Sequence, residues 1–522
     1  MTTIPDLLRR SAVQWPDAEA IVFDATNERL SFAELDKQSD AIARALSAAG
    51  IVTGDRVLVC SGNVLLFPLA WLAILKAGAV MVPVNPRYRL DDAAHLLALV
   101  EPRAAFCDAE RLEFMRTLAA SSQGLDLIVT DHADPPRGVQ SLRNFAQSCA
   151  TTAPVKRDIS ASTLANIQFT SGTSGLPKGC MLSHGYWLAL ANTVRGTVVA
   201  LAPGETMLTA QPFSYLDPQW ALVLTILSGA RLVVLDKFSP SNLWEKIVQH
   251  DAHFFYCLAA MPLMMLGTLP TAAEKRHNLR AIMCSAIPSN RHAELEARFG
   301  VPWLEAYGST ETGSDLGISW EDHDSMVGIA TIGRPLPNRE ARIVDEAFRT
   351  LGPEEDGELL VRGPYMMLGY WRNPEATSEA FCDDWYRTGD LARFDVAGFY
   401  HLVGRRKDMI RRGGENIAAA ELEAVLNQHP GVLLSACIAV PDPVRNEEVL
   451  AYIVPEEPTN PGALIEFLET RLAAFKVPRY WRFVETLPMT PSERVAKPLL
   501  SRSLEDAFDR TIGSVSKVVG PP

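Results

Sequence analysis

Paired cysteines are missing. The eight cysteines (Cys60, Cys107, Cys149, Cys180, Cys257, Cys284, Cys382 and Cys437) are scattered singly with no C-x-x-C spacing, which argues against both a zinc site and a disulfide framework and leaves buried thiols. There is also no Lys/Arg run, and the formal net charge is -13. Nucleic-acid binding needs a concentrated basic surface, so any anion this chain holds must be met by local groups. Long apolar runs are lacking as well. The longest, Val64 to Leu75, contains Pro68 and ends at Lys76, well short of the ~20 residues of a membrane span. The opening stretch "MTTIPDLLRRSAVQWPDAEA" holds no continuous apolar segment of the secretory kind. These absences predict a cytoplasmic protein with no membrane span and no nucleic-acid partner. No fixed-period repeat is present either.

What is there is an ordinary globular composition, 48% hydrophobic and 21% charged over 522 residues, long enough for two or more domains. Helical and strand-like patterns alternate: "SFAELDKQSDAIARALSAAG" then "DRVLVC", "VLLFPLAWLAILKAG" then "AVMVPVN", "LVLTILSGA" then "RLVVLD", "NLWEKIVQHD" then "HFFYCLA". This predicts an α/β fold whose sheets are covered by helices. From about Asp345 the texture becomes β-rich, with short strands such as "GELLVRG" joined by Gly and Asp turns. Beyond Gly404 a helix at "AAAELEAVLNQHP", strands at "LLSACIAVP" and "VLAYIVP", a helix at "GALIEFLETRLAAF" and a strand at "WRFVETLP" predict a small α+β domain. The boundary falls between Gly404 and Asp408, giving an N-terminal domain over 1–406 and a C-terminal one over 407–522. With no Pro/Ser-rich linker, the two should meet at a tight hinge.

The stretch "FTSGTSGLPKG", Phe169 to Gly179, follows the strand-like "LANIQFT", so its loop lies at a strand end, where α/β proteins commonly bind ligands. Its glycines let backbone N–H groups approach an anion; Thr170, Ser171, Thr173 and Ser174 add hydroxyl donors and Lys178 a positive charge. It is not a Walker A loop, because Lys178 is followed by Gly179 and the glycine spacing differs.

With this loop the chain resembles the adenylate-forming superfamily: acyl-CoA synthetases, adenylation domains and firefly-type luciferases. The resemblance covers nearly the whole chain, and further motifs follow in the family's order. It implies that Thr170, Ser171, Gly172, Thr173, Ser174, Gly175 and Lys178 hold the β- and γ-phosphates of ATP. In "EAYGSTE" it implies that Tyr307 stacks on adenine, Thr310 meets phosphate and Glu311 helps hold Mg²⁺, with Glu305, Ala306, Gly308 and Ser309 completing the segment. That division suits the chemistry, since Mg²⁺ prefers carboxylate oxygen and a flat ring suits a flat base. Ser285, Ala286 and Ile287, in "CSAIPSN", match one wall of the base site.

In "WYRTGDLARFD" Asp390 matches the carboxylate that accepts both ribose hydroxyls, a role needing two acceptor oxygens. In "GRRKDMIRRGGENI" Arg405 matches an arginine at the ribose and phosphate end, Lys407 the hinge position, and Gly413 and Gly414 the loop beside the thiol cofactor's channel after the small domain rotates.

The family's last motif resembles "PRTPTGK", whose lysine reaches the carboxylate and α-phosphate during adenylation. Here the stretch is "LPMTPSERVAKPLL", with Glu493 at the usual glycine, Arg494 at the usual lysine and Lys497 three residues further on. Guanidinium and ammonium are not interchangeable at such a site. Either Lys497 or Arg494 supplies the charge, with Lys497 preferred because Ser492 and Glu493 free the loop from the usual turn.

"AQPFSYLDPQWALVL" corresponds to the segment lining the acyl pocket, with Tyr215 as an aromatic gate, Asp217 and Gln219 adding polarity and Trp220 a wall. This segment and "DMIRRGGENI" look most like crotonobetaine/carnitine-CoA ligases. His184 reads as a structural residue at a helix start. The resemblance implies an enzyme that converts a carboxylic acid and Mg·ATP into acyl-AMP and pyrophosphate, then passes the acyl group to coenzyme A. An amine or a carrier-protein thiol as second nucleophile, and a nucleotide sensor without catalysis, stay open, as does a homodimer. The acyl group itself is not legible.

Overall fold

The structure, a computed structural model, describes residues 2–121, 124–149, 157–170, 177–198, 200–258, 261–405, 408–412, 415–490 and 495–515. Among the described residues the strands form four sheets. The first has seven strands. Five parallel partners, Gln140–Ser141 through Val80–Pro83, lead to Leu164–Thr170, and Lys178–Ser183 closes the edge antiparallel. The second has nine strands, with a parallel centre running from Glu19–Phe23 to Trp303–Ser309 and antiparallel strands at both edges. Strands such as "RVLVC" and "VMVP" are buried nearly throughout, as expected when both faces of a parallel sheet are covered.

The helices that do the covering carry the same signature. All eleven residues of Leu66–Lys76 are buried, and Leu216–Ser228 is buried along most of its length; a helix apolar all round belongs inside. Lys76 ends the first of these, its ammonium 2.5 Å from Asp36 and 2.7 Å from Asp40. Trp71 packs edge-on against Trp187 at 5.3 Å and donates its indole N–H to Asn166 Oδ1 at 3.0 Å. The core thus joins the helices to the strand that leads into the Ser/Thr/Gly loop.

The β-rich segment forms a five-stranded antiparallel sheet containing Gly357–Arg362, Trp385–Phe394 and Tyr400–Arg405. A fourth sheet of seven strands, from Met409–Arg412 to Ser514–Val515, carries the helices Ala419–Leu426 and Pro461–Glu469. That second helix stops short of the sequence stretch expected to form it. The chain is therefore a mixed α/β protein with a large N-terminal part and a smaller C-terminal one, as expected. No disulfide joins any of the eight cysteines. None of the described helices is long and apolar enough to cross a membrane.

Candidate active site

Thr170 and Lys178 lie opposite each other at the ends of the antiparallel pair Leu164–Thr170 and Lys178–Ser183. Ser171, Gly172, Thr173, Ser174 and Gly175, the middle of the expected phosphate loop, lie outside the described residues. A Cβ on Gly179 would sit 2.7 Å from Ile167 Cγ2, so this glycine lets the two strands close at the loop's root. Lys178 Nζ stands 5.2 Å over the ring of Tyr370, and the Tyr370 hydroxyl donates to Glu311 Oε1 at 3.0 Å. One phenol thus bridges the loop cation of the first sheet and the carboxylate of the second. Sequence reading missed Tyr370, because a Tyr in "LGYW" carries no motif of its own.

Thr310 and Glu311 occupy the turn between Trp303–Ser309 and Gly313–Gly317. A Cβ at Gly308 would lie 1.9 Å from the Gly313 carbonyl oxygen, which leaves no room for any side chain. Beneath the turn, Ser309 Oγ and Thr312 Oγ1 are 3.0 Å apart, and Thr312 donates to Asp315. Asp315 is fully buried 3.8 Å from Arg339 Nε. Burial pushes the Asp315 carboxyl up to about 6, against the pull of Arg339.

On the side where the nucleoside is expected, three motifs meet. The Tyr307 hydroxyl donates to Asp390 Oδ2 at 2.6 Å, and Arg405 Nε lies 2.9 Å from Asp390 Oδ1. Asp390 and Arg405 are cross-strand partners in the β-rich sheet. Glu305 accepts the backbone N–H of Ala286 on one carboxylate oxygen and that of Ile287 on the other, both at 2.7 Å. This holds Ala286 at φ 73, a left-handed conformation that a residue with a Cβ rarely keeps without support. Burial pushes Glu305 up to about 8 despite the two amide donors. Ser285 Oγ donates to the Ala306 carbonyl at 2.8 Å and meets the Tyr256 hydroxyl at 2.9 Å.

Tyr215 precedes the helix Leu216–Ser228 and accepts a 2.9 Å hydrogen bond from Asn85 Nδ2. Burial raises its hydroxyl pKa, and Asp217 in the first helical turn adds to the rise. The other two expected pocket residues are placed differently. Gln219 is fully buried; its amide nitrogen donates to the carbonyls of Phe213 and Tyr215 at 2.9 and 3.0 Å, and its oxygen accepts from Asn166 at 2.9 Å. Its polar atoms are spent on the protein, so it braces the segment that presents Tyr215. Trp220 packs edge-on against Tyr256 at 5.4 Å within the core, leaving Tyr256 between it and Ser285.

In the C-terminal part, Lys497 Nζ lies 2.7 Å from Glu423 Oε1 and 3.8 Å from Asp408 Oδ2. Lys407, Gly413, Gly414 and Arg494 lie outside the described residues. His184 is buried at the start of a helix, where its Nδ1 accepts the Ile4 N–H at 3.5 Å, and burial lowers its pKa to about 4. It is structural, as expected.

Among the described residues one group has metal-ligand chemistry, His292, Glu296 and His323, with ligand atoms within 4.8 Å of one another. Its hydrogen bonds are already committed. His292 Nε2 donates to the Trp303 carbonyl while its Nδ1 accepts the Gly328 N–H; His323 lies between Glu296 and Asp324. Burial works against the charge on His323, but these two carboxylates outweigh it and raise its pKa. The group is an internal latch behind Trp303.

Comparisons with known proteins place the chain in a family. The family model "AMP-binding enzyme" matches residues 8–371, and "AMP-binding enzyme C-terminal domain" matches 421–494. A feruloyl-CoA synthase from Amycolatopsis sp is 32% identical, covering 94% of this chain and 96% of that one. A crotonobetaine/carnitine-CoA ligase from Escherichia coli O8 is 30% identical, covering 90% and 92%. The crystal structure of ATP-bound MatB from Rhodopseudomonas palustris superimposes with a TM-score of 0.85 at 28% identity, covering 95% of this chain and 98% of that one. The chain belongs to the AMP-binding enzyme family of the adenylate-forming superfamily.

Proposed function

We propose that this protein activates a compact carboxylic acid, polar or aromatic rather than long-chain, as an AMP-forming acyl-CoA synthetase. The reaction class is that of the family: the acid's carboxylate oxygen attacks the α-phosphorus of ATP and pyrophosphate leaves; the thiol of coenzyme A then attacks the acyl carbon and AMP leaves. No covalent enzyme intermediate is needed. The bridge from Lys178 through Tyr370 to Glu311 carries the reading, because it gathers a cation and a carboxylate at one corner, as a metal-bound pyrophosphate leaving group requires.

In this reading Thr170, Ser171, Gly172, Thr173, Ser174, Gly175 and Lys178 grip the departing phosphates, and Thr310 meets phosphate from the facing turn. Mg²⁺ fits the site, since Glu311 is a half-buried carboxylate beside a hydroxyl donor, and when bound it neutralises charge on the triphosphate. Asp390 and Arg405 take the ribose end, and Tyr307, Ser285, Ala286 and Ile287 the base. Holding acid and nucleotide together supplies much of the rate. The compact acid follows from Tyr256, which stands between Trp220 and Ser285 with its hydroxyl tied to Ser285, filling space that a long chain would need. A small domain beginning at Lys407 turns between the half-reactions, bringing Gly413 and Gly414 toward the thiol.

Pyrophosphate release with Mg·ATP across short-chain, aromatic, quaternary-ammonium and long-chain acids, with and without coenzyme A, tests the reading. Release from one compact class that rises strongly with coenzyme A supports it. A preference for long chains removes the size assignment. Release indifferent to coenzyme A points to an amine or a carrier-protein thiol, and silence throughout to a nucleotide sensor.

A further inference from the structure

We infer that Lys497 is a positioning residue of the small domain and not the cation that meets the reacting carboxylate and α-phosphate, an inference that rests on the adenylating function proposed above. Lys497 opens the short turn Lys497–Leu499. Its ammonium reaches Glu423 Oε1 at 2.7 Å, in the helix Ala419–Leu426, and Asp408 Oδ2 at 3.8 Å, just before the strand Met409–Arg412. The same Glu423 oxygen accepts the N–H of Cys437 at 2.6 Å, from the strand Val432–Asp442. Four segments are therefore tied through one lysine and one glutamate.

These partners share a core. Ile410, Leu422, Leu426, Val432 and Cys437 belong to one buried cluster, so rotation of the small domain carries Glu423 and Asp408 along with Lys497. Turning the domain does not free the ammonium. For Lys497 to reach a substrate held by the large domain, it must leave a mostly buried carboxylate without its counter-charge, and breaking one side of such a pair is strongly unfavourable.

The pairing also marks where the moving body begins. Arg405 is held to Asp390 in the β-rich sheet at 2.9 Å, whereas Asp408 is held to Lys497 at 3.8 Å. The chain passes from one ion pair to the other within three residue steps. The adenylation charge then falls, by sequence position alone, to Arg494, which lies outside the described residues.

The test compares the full-length protein with Lys497→Met, Glu423→Gln, the double variant and Arg494→Ala. Pyrophosphate exchange reads the first half-reaction, and coenzyme A-dependent consumption of synthetic acyl-AMP reads the second. Lys497→Met and Glu423→Gln are expected to lower kcat of both half-reactions alike, by about 3- to 10-fold with KM for ATP unchanged, and the double variant to be no worse than the weaker single, as for two members of one pair. Arg494→Ala is expected to lower the first half-reaction by about 100-fold or more and spare the second. Loss of exchange in Lys497→Met, with the second half-reaction intact and Glu423→Gln near the parent, overturns the inference. Melting temperatures decide independently of turnover: non-additive decreases in the two single variants support the pairing and additive ones overturn it. If the parent itself is inactive with every acid, the functional proposal fails while the melting comparison still judges the ion pair.

Discussion

Asp390 is gripped from two sides, by the Tyr307 hydroxyl at 2.6 Å on one oxygen and by Arg405 Nε at 2.9 Å on the other. Each carboxylate oxygen has a second lone pair, so the arrangement orients the group and leaves capacity for a diol. Asp390→Ala is expected to weaken binding of a non-hydrolysable ATP analogue by about 10-fold or more, the scale of hydrogen bonds to a charged group. Tyr307→Phe keeps the ring and is expected to cost no more than about 3-fold, as for one neutral donor. Calorimetric titration measures both; unchanged affinity in Asp390→Ala removes the ribose assignment.

Lys178 and Glu311 meet through Tyr370 and not by direct contact. Lys178→Ala and Glu311→Gln are each expected to lower pyrophosphate release by about 100-fold, the typical loss when one preorganised charge is removed from a transition state. AMP binding should change little, since AMP lacks the leaving phosphates. An equal loss of AMP affinity in either variant places the residue elsewhere.

Buried acids and a buried histidine shape the stability curve in opposite senses. Asp315 has its pKa raised from 3.8 to about 6, and Glu305 from 4.5 to about 8, both by burial. Between those values the native protein holds protons that the unfolded chain has released, so these groups make stability fall as pH rises through roughly 4 to 8. His184, lowered from 6.5 to about 4, stays neutral where the unfolded chain is protonated, so its contribution is present above 6.5 and is lost as pH falls through that window. Asp315→Asn cannot titrate and is expected to flatten the acid part of the decline, a change of roughly 3 kcal/mol in the parent–variant difference between about pH 4 and 7. Urea midpoints taken across that range are the measurement, and parallel curves for parent and variant count against it.

Gln219 holds two carbonyls and Asn166. Gln219→Leu leaves those groups buried without partners, at about 1–3 kcal/mol each when unsatisfied. The variant is expected to lose stability in urea unfolding and to blur acid selectivity through Tyr215, without a change in ATP affinity. Full stability returns Gln219 to the pocket surface.

The meeting of Tyr307, Asp390 and Arg405 was legible because these residues sit in short contiguous stretches: Glu305 to Glu311 is one strand and its turn, and Asp390 and Arg405 flank one hairpin. The acyl side was not. The helix Leu216–Ser228 is buried nearly all round, so its periodicity shows no face, and a polar side chain on it reads alike whether it meets substrate or a carbonyl. Tyr256, Asn85 and Tyr370 reach the site from segments without a motif, and only tertiary packing brings them there. Lys497 was legible as a cation but not as a paired one, since Glu423 and Asp408 come from far upstream.

The 1.9 Å gap between a would-be Cβ at Gly308 and the Gly313 carbonyl has a consequence for how such motifs are read in other chains. Two strands can close this tightly only over a bare backbone, so a descendant that had abandoned its chemistry would still be obliged to keep that glycine. Its presence in a related sequence testifies to shape. The testimony about activity belongs to residues the fold could spare, Glu311 foremost among them.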